Sequence, residues 1–331
     1  MSASVKEIVD AYRKQPLSEA STPPFSWYTD PRIFDLEQRT VFPHSWQFAG
    51  RAEQLAEPGR YVTREIAGEP IAIVCGNDGA LRSFYNVCRH HAAAVLTQPQ
   101  GKVQNLRCPY HGWTYDLKGK LVLTPEFGGV ANFDRSANGL VPVQMAVWQG
   151  WVFVKLATGG LALEQFLASD LLERFESLNL ERLRWFDRRS YTLNCNWKVF
   201  VDNYLDGGYH VPHIHGGLNS VLDYHSYTIE TGARSCLQSS PMETTAGDAA
   251  TASVRKGTCV YYYWIHPNFM INVYEGVMDT NLVVPRAVDK TDVIFDYYFA
   301  DVSDQARENN LASIGVSEQI QAEDVAICES V

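Results

Sequence analysis

Between residues 41 and 156 the chain alternates short apolar runs, rich in β-branched and aromatic side chains, with turn residues, and these runs read as short strands. IAIVCG (71–76) and ALRSFYNV (80–87) flank Asn77-Asp78-Gly79, a hairpin turn. GWTYDL and KLVL flank Lys118-Gly119, and WVFVKL (151–156) is one more strand. Together they predict an all-β region of small antiparallel sheets. The pattern changes after Gly159-Gly160, where LALEQFLASDLLERFESL (161–178) carries apolar residues at helical spacing. From Trp185 onward the periods mix. NWKVFVDNYLDGGYH predicts a helix up to its glycines, YYYWIHPNFMINVYEG (261–276) and TDVIFDYYFADV (291–302) predict strands, and SEQIQAEDVAICES (317–330) predicts a helix. The second half is therefore α+β.

The 331 residues are 46% apolar, enough for two cores, and carry a net charge of −10 with a pI near 5.4. That balance excludes a nucleic-acid binder, whose footprint is basic, and suits a soluble cytoplasmic enzyme. MSASVKEIVDAYRKQPLSEAS lacks the apolar core of a signal peptide, and no run is long enough to span a bilayer, so no membrane partner is expected. Seven cysteines without a secretory signal read as thiols or metal ligands, not as a disulfide framework. The helical pattern still running at AICESV reads as a chain cut from a longer protein.

Two segments carry metal chemistry. Cys88-Arg89-His90 and Cys108-Pro109-Tyr110-His111 form a CxH and a CxxH pair with seventeen residues between His90 and Cys108. Each pair follows a strand, on a loop that can present both side chains to one point. Two thiolates and two imidazoles can hold zinc tetrahedrally, although zinc usually recruits its cysteines and histidines in separate pairs. A two-iron cluster with both thiolates on one iron and both imidazoles on the other uses this mixed supply, and the neutral imidazoles raise its potential. Gly112 permits close backbone approach and Trp113 shields the site from water. His91 reads as a solvated or packing imidazole, and Cys75, Cys195, Cys236 and Cys259 as buried thiols.

The first segment resembles the Rieske domain of the Rieske non-haem iron oxygenases. The resemblance implies a [2Fe-2S] cluster on Cys88, His90, Cys108 and His111 that passes electrons to a second, mononuclear iron. NCNWKVFVDNYLDGGYHVPHIHGG (194–217) fits that second site. Two imidazoles and a carboxylate on one face of iron leave open positions for dioxygen and substrate. His210 and His215 are five apart, not a same-face spacing on a straight helix, and Pro212 is expected to end the helix after Val211 so that His215 arrives from the next turn. His213 competes; the family's spacing favours His215. Within SEQIQAEDVAICES the family pattern aligns Asp324, five before Glu329, as the third ligand. Glu323 is its neighbour and Asp279 a distant alternative. An acidic residue just before the first histidine, here Asp206 with Asp202 as fallback, is implied to hydrogen-bond that histidine and to reach a cluster histidine, His111 rather than His90, of a neighbouring subunit. That makes the protein a cyclic homo-oligomer, a homotrimer. Asn203 is expected beside the iron as a non-ligand.

The resemblance covers nearly the whole chain, including SWYTDPRIFDLEQRTVFPHSWQFAG (26–50), PYHGWTYDLKG and NWKVFVDNYLDGGYHVP. It implies an N-terminal segment, 1–40, packed on the catalytic domain, an all-β Rieske domain, 41–160, and an α+β catalytic domain, 161–331, with an antiparallel sheet flanked by helices. DNYLDGGYHVP and GLVPV (139–143) look most like the choline monooxygenase group, so the implied reaction is hydroxylation at mononuclear Fe(II), with O2, of a carbon attached to a quaternary ammonium. The alternatives are an aromatic-ring-hydroxylating dioxygenase and a non-enzymatic Rieske electron carrier. No GxGxxG follows a strand here, so electrons from NAD(P)H require a separate flavin/iron-sulfur reductase. A quaternary cation favours aromatic rings, each worth roughly 0.5–2 kcal/mol. Tyr261 to Trp264, Phe269 and Tyr274 could supply them, although taken singly each reads better as a core aromatic of a sheet.

Overall fold

Each β-branched run of the 41–156 region pairs with a chain neighbour, and in the computed structural model, which describes residues 3–242 and 248–331, the pairs join into sheets. The chain divides into two compact units, residues 38–166 and residues 1–37 with 167–331. The first boundary falls inside a helix, α1 (Pro31–His44), where the apolar pattern from residue 41 suggested strand.

In the 38–166 unit ten strands run in chain order: β1 (Gln47–Arg51), β2 (Arg60–Ile66), β3 (Glu69–Cys75), β4 (Leu81–Tyr85), β5 (Gln100–Lys102), β6 (Leu106–Arg107), β7 (Thr114–Tyr115), β8 (Leu121–Leu123), β9 (Pro142–Trp148) and β10 (Trp151–Lys155). Seven form an antiparallel sheet ordered β1-β10-β9-β4-β3-β2-β5, and β6-β7-β8 form a second, small sheet. Both sequence-predicted hairpins are present, β3 with β4 around Asn77-Asp78-Gly79 and β7 with β8 around Lys118-Gly119. Two loops leave the sheets, one after β4 and one between β6 and β7. Their inner residues, Cys88, Cys108 and Trp113, are buried in one core with Tyr115 of β7 and with Tyr61, Val74, Phe84 and Leu106. At roughly 1.5–3 kcal/mol per buried apolar side chain, that core fixes the loops as firmly as the strands.

The helix expected over 161–178 is two helices, α2 (Leu163–Leu167), at the end of the 38–166 unit, and α3 (Ser169–Ser177), in the other unit. They break at Ala168, whose φ of +68° lies in a region that alanine rarely adopts. Seven strands follow: β11 (Arg184–Leu193), β12 (Thr228–Thr231), β13 (Ser235–Pro241), β14 (Cys259–Ile265), β15 (Phe269–Tyr274), β16 (Val277–Ala287) and β17 (Lys290–Phe299). They make one antiparallel sheet ordered β11-β17-β16-β15-β14-β13-β12.

Three helices position the chemistry of this unit. In α4 (Trp197–Leu205) Asn196 caps the first turn by accepting from the Lys198 N–H, and Trp197, Phe200 and Val201 bury one face. The helix ends at Gly207 and Gly208, with φ of +78° and +68°, which only glycine adopts freely. Pro212 does not end this helix. It sits in the first turn of the next one, α5 (Val211–Ile214), where its missing N–H costs nothing. The long α6 (Arg307–Cys328) begins ten residues before the sequence-predicted start. Four of its buried residues, Asn310, Ser313, Ser317 and Gln321, are polar beside Ile314 and Cys328, so an apolar period marks it only weakly. Helix α4 packs on α6 and β16. The N-terminal segment is tied to α4: Glu37 accepts from Trp197 Nε1 and Lys198 Nζ at 2.8 and 2.7 Å, and Tyr28 donates to Asp202 at 2.6 Å.

Candidate metal centres and substrate cavity

The two cysteine loops of the 38–166 unit share one backbone hydrogen-bond pattern. Cys88 N–H donates to Ala93 O and accepts, at its carbonyl, from Ala92 N–H; Cys108 N–H donates to Trp113 O and accepts from Gly112 N–H. Ala92 and Gly112, the equivalent positions, both have positive φ, +58° and +73°. The two thiols lie side by side, Cys88 Sγ is 3.3 Å from Tyr115 Oη, and that hydroxyl also accepts from Arg89 N–H at 2.9 Å. Burial pushes the Cys108 thiol up, so its thiolate needs a positive partner. The His90 ring stacks on Trp113, with centroids 4.7 Å apart and planes 4° apart, and lies 4.8 Å from the exposed His111 ring. Burial and the neighbouring imidazoles lower the pKa of His90. Its Nδ1 is buried without a hydrogen-bond partner among the described residues. An orphaned imidazole nitrogen beside two enclosed thiols fits an inorganic group held by Cys88, Cys108, His90 and His111. The exposed His91 ring lies 4.0 Å from His90 and 5.3 Å from His111. Cys75, Cys195 and Cys236 are buried thiols; Cys259 is only half-buried.

The second centre lies where α4, α5 and α6 converge. His210 and His215 stand at the two ends of α5, and Asp324 projects from α6, with one ligand atom of each within 4.8 Å of the others. His210 Nδ1 donates to Asp206 Oδ1 and His215 Nδ1 to Glu323 Oε2, each at 2.7 Å. Both Nε2 atoms therefore face Asp324, whose Oδ1 is 3.1 Å from His215 and 3.9 Å from His210. Asn203, on α4, donates to the same oxygen at 2.8 Å. Burial acts against a charged His215, but Asp324 and Glu323 outweigh it and hold its pKa above the ordinary value. Asp206, Glu323 and Asp324 pair with no lysine or arginine among the described residues. Two tautomer-fixed imidazoles and a convergent carboxylate, without a balancing cation, fit a divalent metal with open positions.

Some candidates lie elsewhere. His213 is exposed and packs on the Tyr209 ring. Asp202 turns to Tyr28 instead of to a histidine, and burial raises its pKa. Glu329 accepts from the backbone and side chain of Asn194. Glu323, the neighbour of Asp324, anchors His215. Asp279 is remote from the imidazoles' partners: it accepts from Asn272 and Asn281, on the wall of a cavity whose lining also includes His210, His215 and Asp324.

That cavity encloses about 740 Å³ including its mouth. Tyr204, Tyr227, Tyr262 and Tyr274 line it, whereas Tyr261, Tyr263, Trp264 and Phe269 do not. The Tyr262 and Tyr274 hydroxyls bond each other at 2.8 Å, Tyr204 donates to Asn272, and Tyr227 to Gln238. Sequence reasoning missed the polar wall of Asn272, Asp279 and Asn281, although a signal was present. Asn272 and Asp279 are register partners inside the otherwise apolar FMINVY and VMDTNLVV, and a buried polar residue in such a strand has a reason to be there.

Residues 45–134 match the Rieske [2Fe-2S] domain and residues 180–331 the ring hydroxylating alpha subunit catalytic domain. The chain is 39% identical to the chloroplastic choline monooxygenase of Arabidopsis thaliana, over 96% of this chain and 77% of that protein. It is 31% identical to the carnitine monooxygenase oxygenase subunit of Escherichia coli strain K12, over 95% and 84% of the two chains. A solved quaternary ammonium Rieske monooxygenase, described in connection with carnitine oxidation by gut microbiota and inter-subunit electron transfer, superposes with a TM-score of 0.82 at 28% identity, covering 93% of this chain and 83% of that one. Matched in both units and across their span by these enzymes, the chain belongs to the Rieske non-haem iron oxygenases.

Proposed function

We propose that this oxygenase hydroxylates a C–H bond of a small quaternary ammonium compound. The observation that carries the reading is the cavity itself: four tyrosines line a pocket that also takes in His210, His215 and Asp324. A cation that cannot donate hydrogen bonds gains most from ring faces, about 0.5–2 kcal/mol each. The names of the relatives, choline and carnitine monooxygenases, support the same class.

On this reading Cys88, Cys108, His90 and His111 would hold the cluster, and His210, His215 and Asp324 the mononuclear iron. Bound there, the cluster supplies single electrons and the iron the reductive activation of dioxygen. In sum one C–H bond becomes C–OH, the second oxygen atom leaves as water, and two electrons and two protons are consumed. The electrons come from NAD(P)H through a separate flavin/iron-sulfur reductase. The chain's own work is positional. Asp206 and Glu323 keep the Nδ1 protons in place, so both Nε2 lone pairs face one point. Asn203 holds the Asp324 oxygen that faces His215. Aromatic walls exclude water and orient the substrate. Asp206 has a second role, as the route for electrons from the partner subunit's His111 in a homotrimer. Partial exposure of the Asp206 side chain and exposure of His111 support it.

Turnover with a reductase under labelled dioxygen tests the reading. Choline, glycine betaine and carnitine are compared with simple arenes. Consumption of a quaternary ammonium substrate is expected, with one labelled oxygen atom in the organic product, an alcohol or an aldehyde trapped by reduction before it exchanges with water; an arene dihydrodiol carrying both atoms, with no ammonium substrate consumed, overturns it.

A further inference from the structure

Asp279 lies on β16, in the middle of a sheet, and is 3% exposed. A carboxylate there is costly unless it is compensated. The compensation is one-sided. Oδ2 accepts from Asn272 Nδ2 and Asn281 Nδ2, both at 2.8 Å, while Oδ1 accepts no hydrogen bond from any described residue. Asn272 is itself oriented, because its Oδ1 accepts from Tyr204. Burial pushes the Asp279 carboxyl above its ordinary pKa, and the charge of Arg255, which lines the same cavity, acts against that; Arg255 makes no direct ion pair with it among the described residues, since its guanidinium sits 4.8 Å over the Tyr274 ring and both of its Nη atoms donate to Ser313. A carboxylate kept for packing alone would have both oxygens satisfied. This one is aimed by two amides, on the wall of a cavity lined by Tyr204, Tyr262 and Tyr274, and half of its bonding capacity is unspent.

We propose that Asp279 is the specificity-determining residue of this cavity: its carboxylate, held by Asn272 and Asn281, faces the cationic head of the substrate and makes the enzyme prefer a quaternary ammonium to an uncharged molecule of the same shape. The inference rests on the quaternary ammonium reading and names the residue that enforces it. Rings attract a cation without excluding a neutral tert-butyl group; a buried anion adds that discrimination.

The test compares choline with 3,3-dimethylbutan-1-ol, its carbon isostere, in steady-state kinetics of the holoenzyme with its reductase. Wild type is expected to favour choline. Asp279→Asn is expected to lower kcat/KM for choline by about 30-fold or more, chiefly through KM, and that for the alcohol far less, so the preference collapses. The visible spectrum of the cluster and the iron content check that both metal centres are intact. Should Asp279→Asn fail to assemble, Asn281→Ser keeps the carboxylate and removes one of its holders; a rise of about 3–10-fold in KM for choline alone is then expected. An intact variant that keeps the wild-type preference overturns the role of Asp279. A wild-type enzyme with no preference for choline, glycine betaine or carnitine over neutral isosteres overturns the quaternary ammonium reading, and this inference with it.

Discussion

His90 and His111 stand on two loops of one backbone pattern, and among the described residues no carboxylate anchors His90: its ring stacks on Trp113, and its Nδ1 has no hydrogen-bond partner there. His210 and His215 stand at the ends of a single short turn, and each Nδ1 is tied to a carboxylate. Both arrangements offer imidazole nitrogen to a metal, but they offer it differently. The outer pair is held by the fold of its loops and by the thiols beside it. The inner pair is held by acidic neighbours that also add negative charge. A centre that only exchanges electrons needs a fixed frame and little charge. A centre that must keep a dication while leaving coordination positions open needs anionic support behind its ligands.

The strongest test of this contrast separates the two irons. His215→Ala should abolish turnover and lower total iron by about one third, with acid-labile sulfide and the visible spectrum unchanged. Cys108→Ser should do the reverse, bleaching the spectrum and removing the sulfide. His91→Ala should do neither, although its ring sits beside both His90 and His111. Loss of sulfide in the His91 variant would make that exposed imidazole part of the outer site.

Next in size are the anchors. Glu323→Gln and Asp206→Asn keep a group that can bond the ring but remove the charge, and each is expected to weaken iron binding by about 10–100-fold in chelator competition, with the cluster untouched. The pair also divides two roles. Glu323 serves the almost wholly buried His215, whereas Asp206 serves the less buried His210. Only Asp206→Asn should slow reoxidation of a pre-reduced cluster when iron is saturating. Equal slowing in both variants would remove the electron-transfer role from Asp206.

The outer site was legible because its spacing is local: CxH and CxxH, each after a strand, already define two loops. At the inner site the spacing of Asp206, His210 and His215 was equally local, and the glycine pair announced the end of α4. What spacing could not supply was the division of labour between Glu323 and Asp324. Adjacent on α6, they face different atoms of the same imidazole, and which faces which depends on how α6 is set against α5. The start of α6 was hidden for a related reason, because the face that it buries is polar where it meets the cavity. The break at Ala168 ran against local propensity, since alanine is the best helix former and gives no warning of a positive φ.

The smallest effect compares the outer loops with each other. Gly112 and Ala92 occupy equivalent left-handed positions, but a Cβ at Gly112 would also lie 3.3 Å from Pro125 Cγ, a tight approach. Gly112→Ala should therefore cost about 1–2 kcal/mol, by moving a non-glycine residue into the left-handed region against that neighbour. Ala92→Gly relieves the same backbone penalty but frees the unfolded chain, so its net gain should be smaller, about 0.5 kcal/mol. The urea midpoint for bleaching of the cluster's visible absorbance measures both, because it reports on the loops themselves. A fall for Gly112→Ala with a small rise for Ala92→Gly means that the frame of the outer centre is set by the backbone of its two loops. If neither midpoint moves, the bound cluster and its thiolate bonds hold the loops by themselves, and the contrast with the carboxylate-anchored centre rests on charge alone.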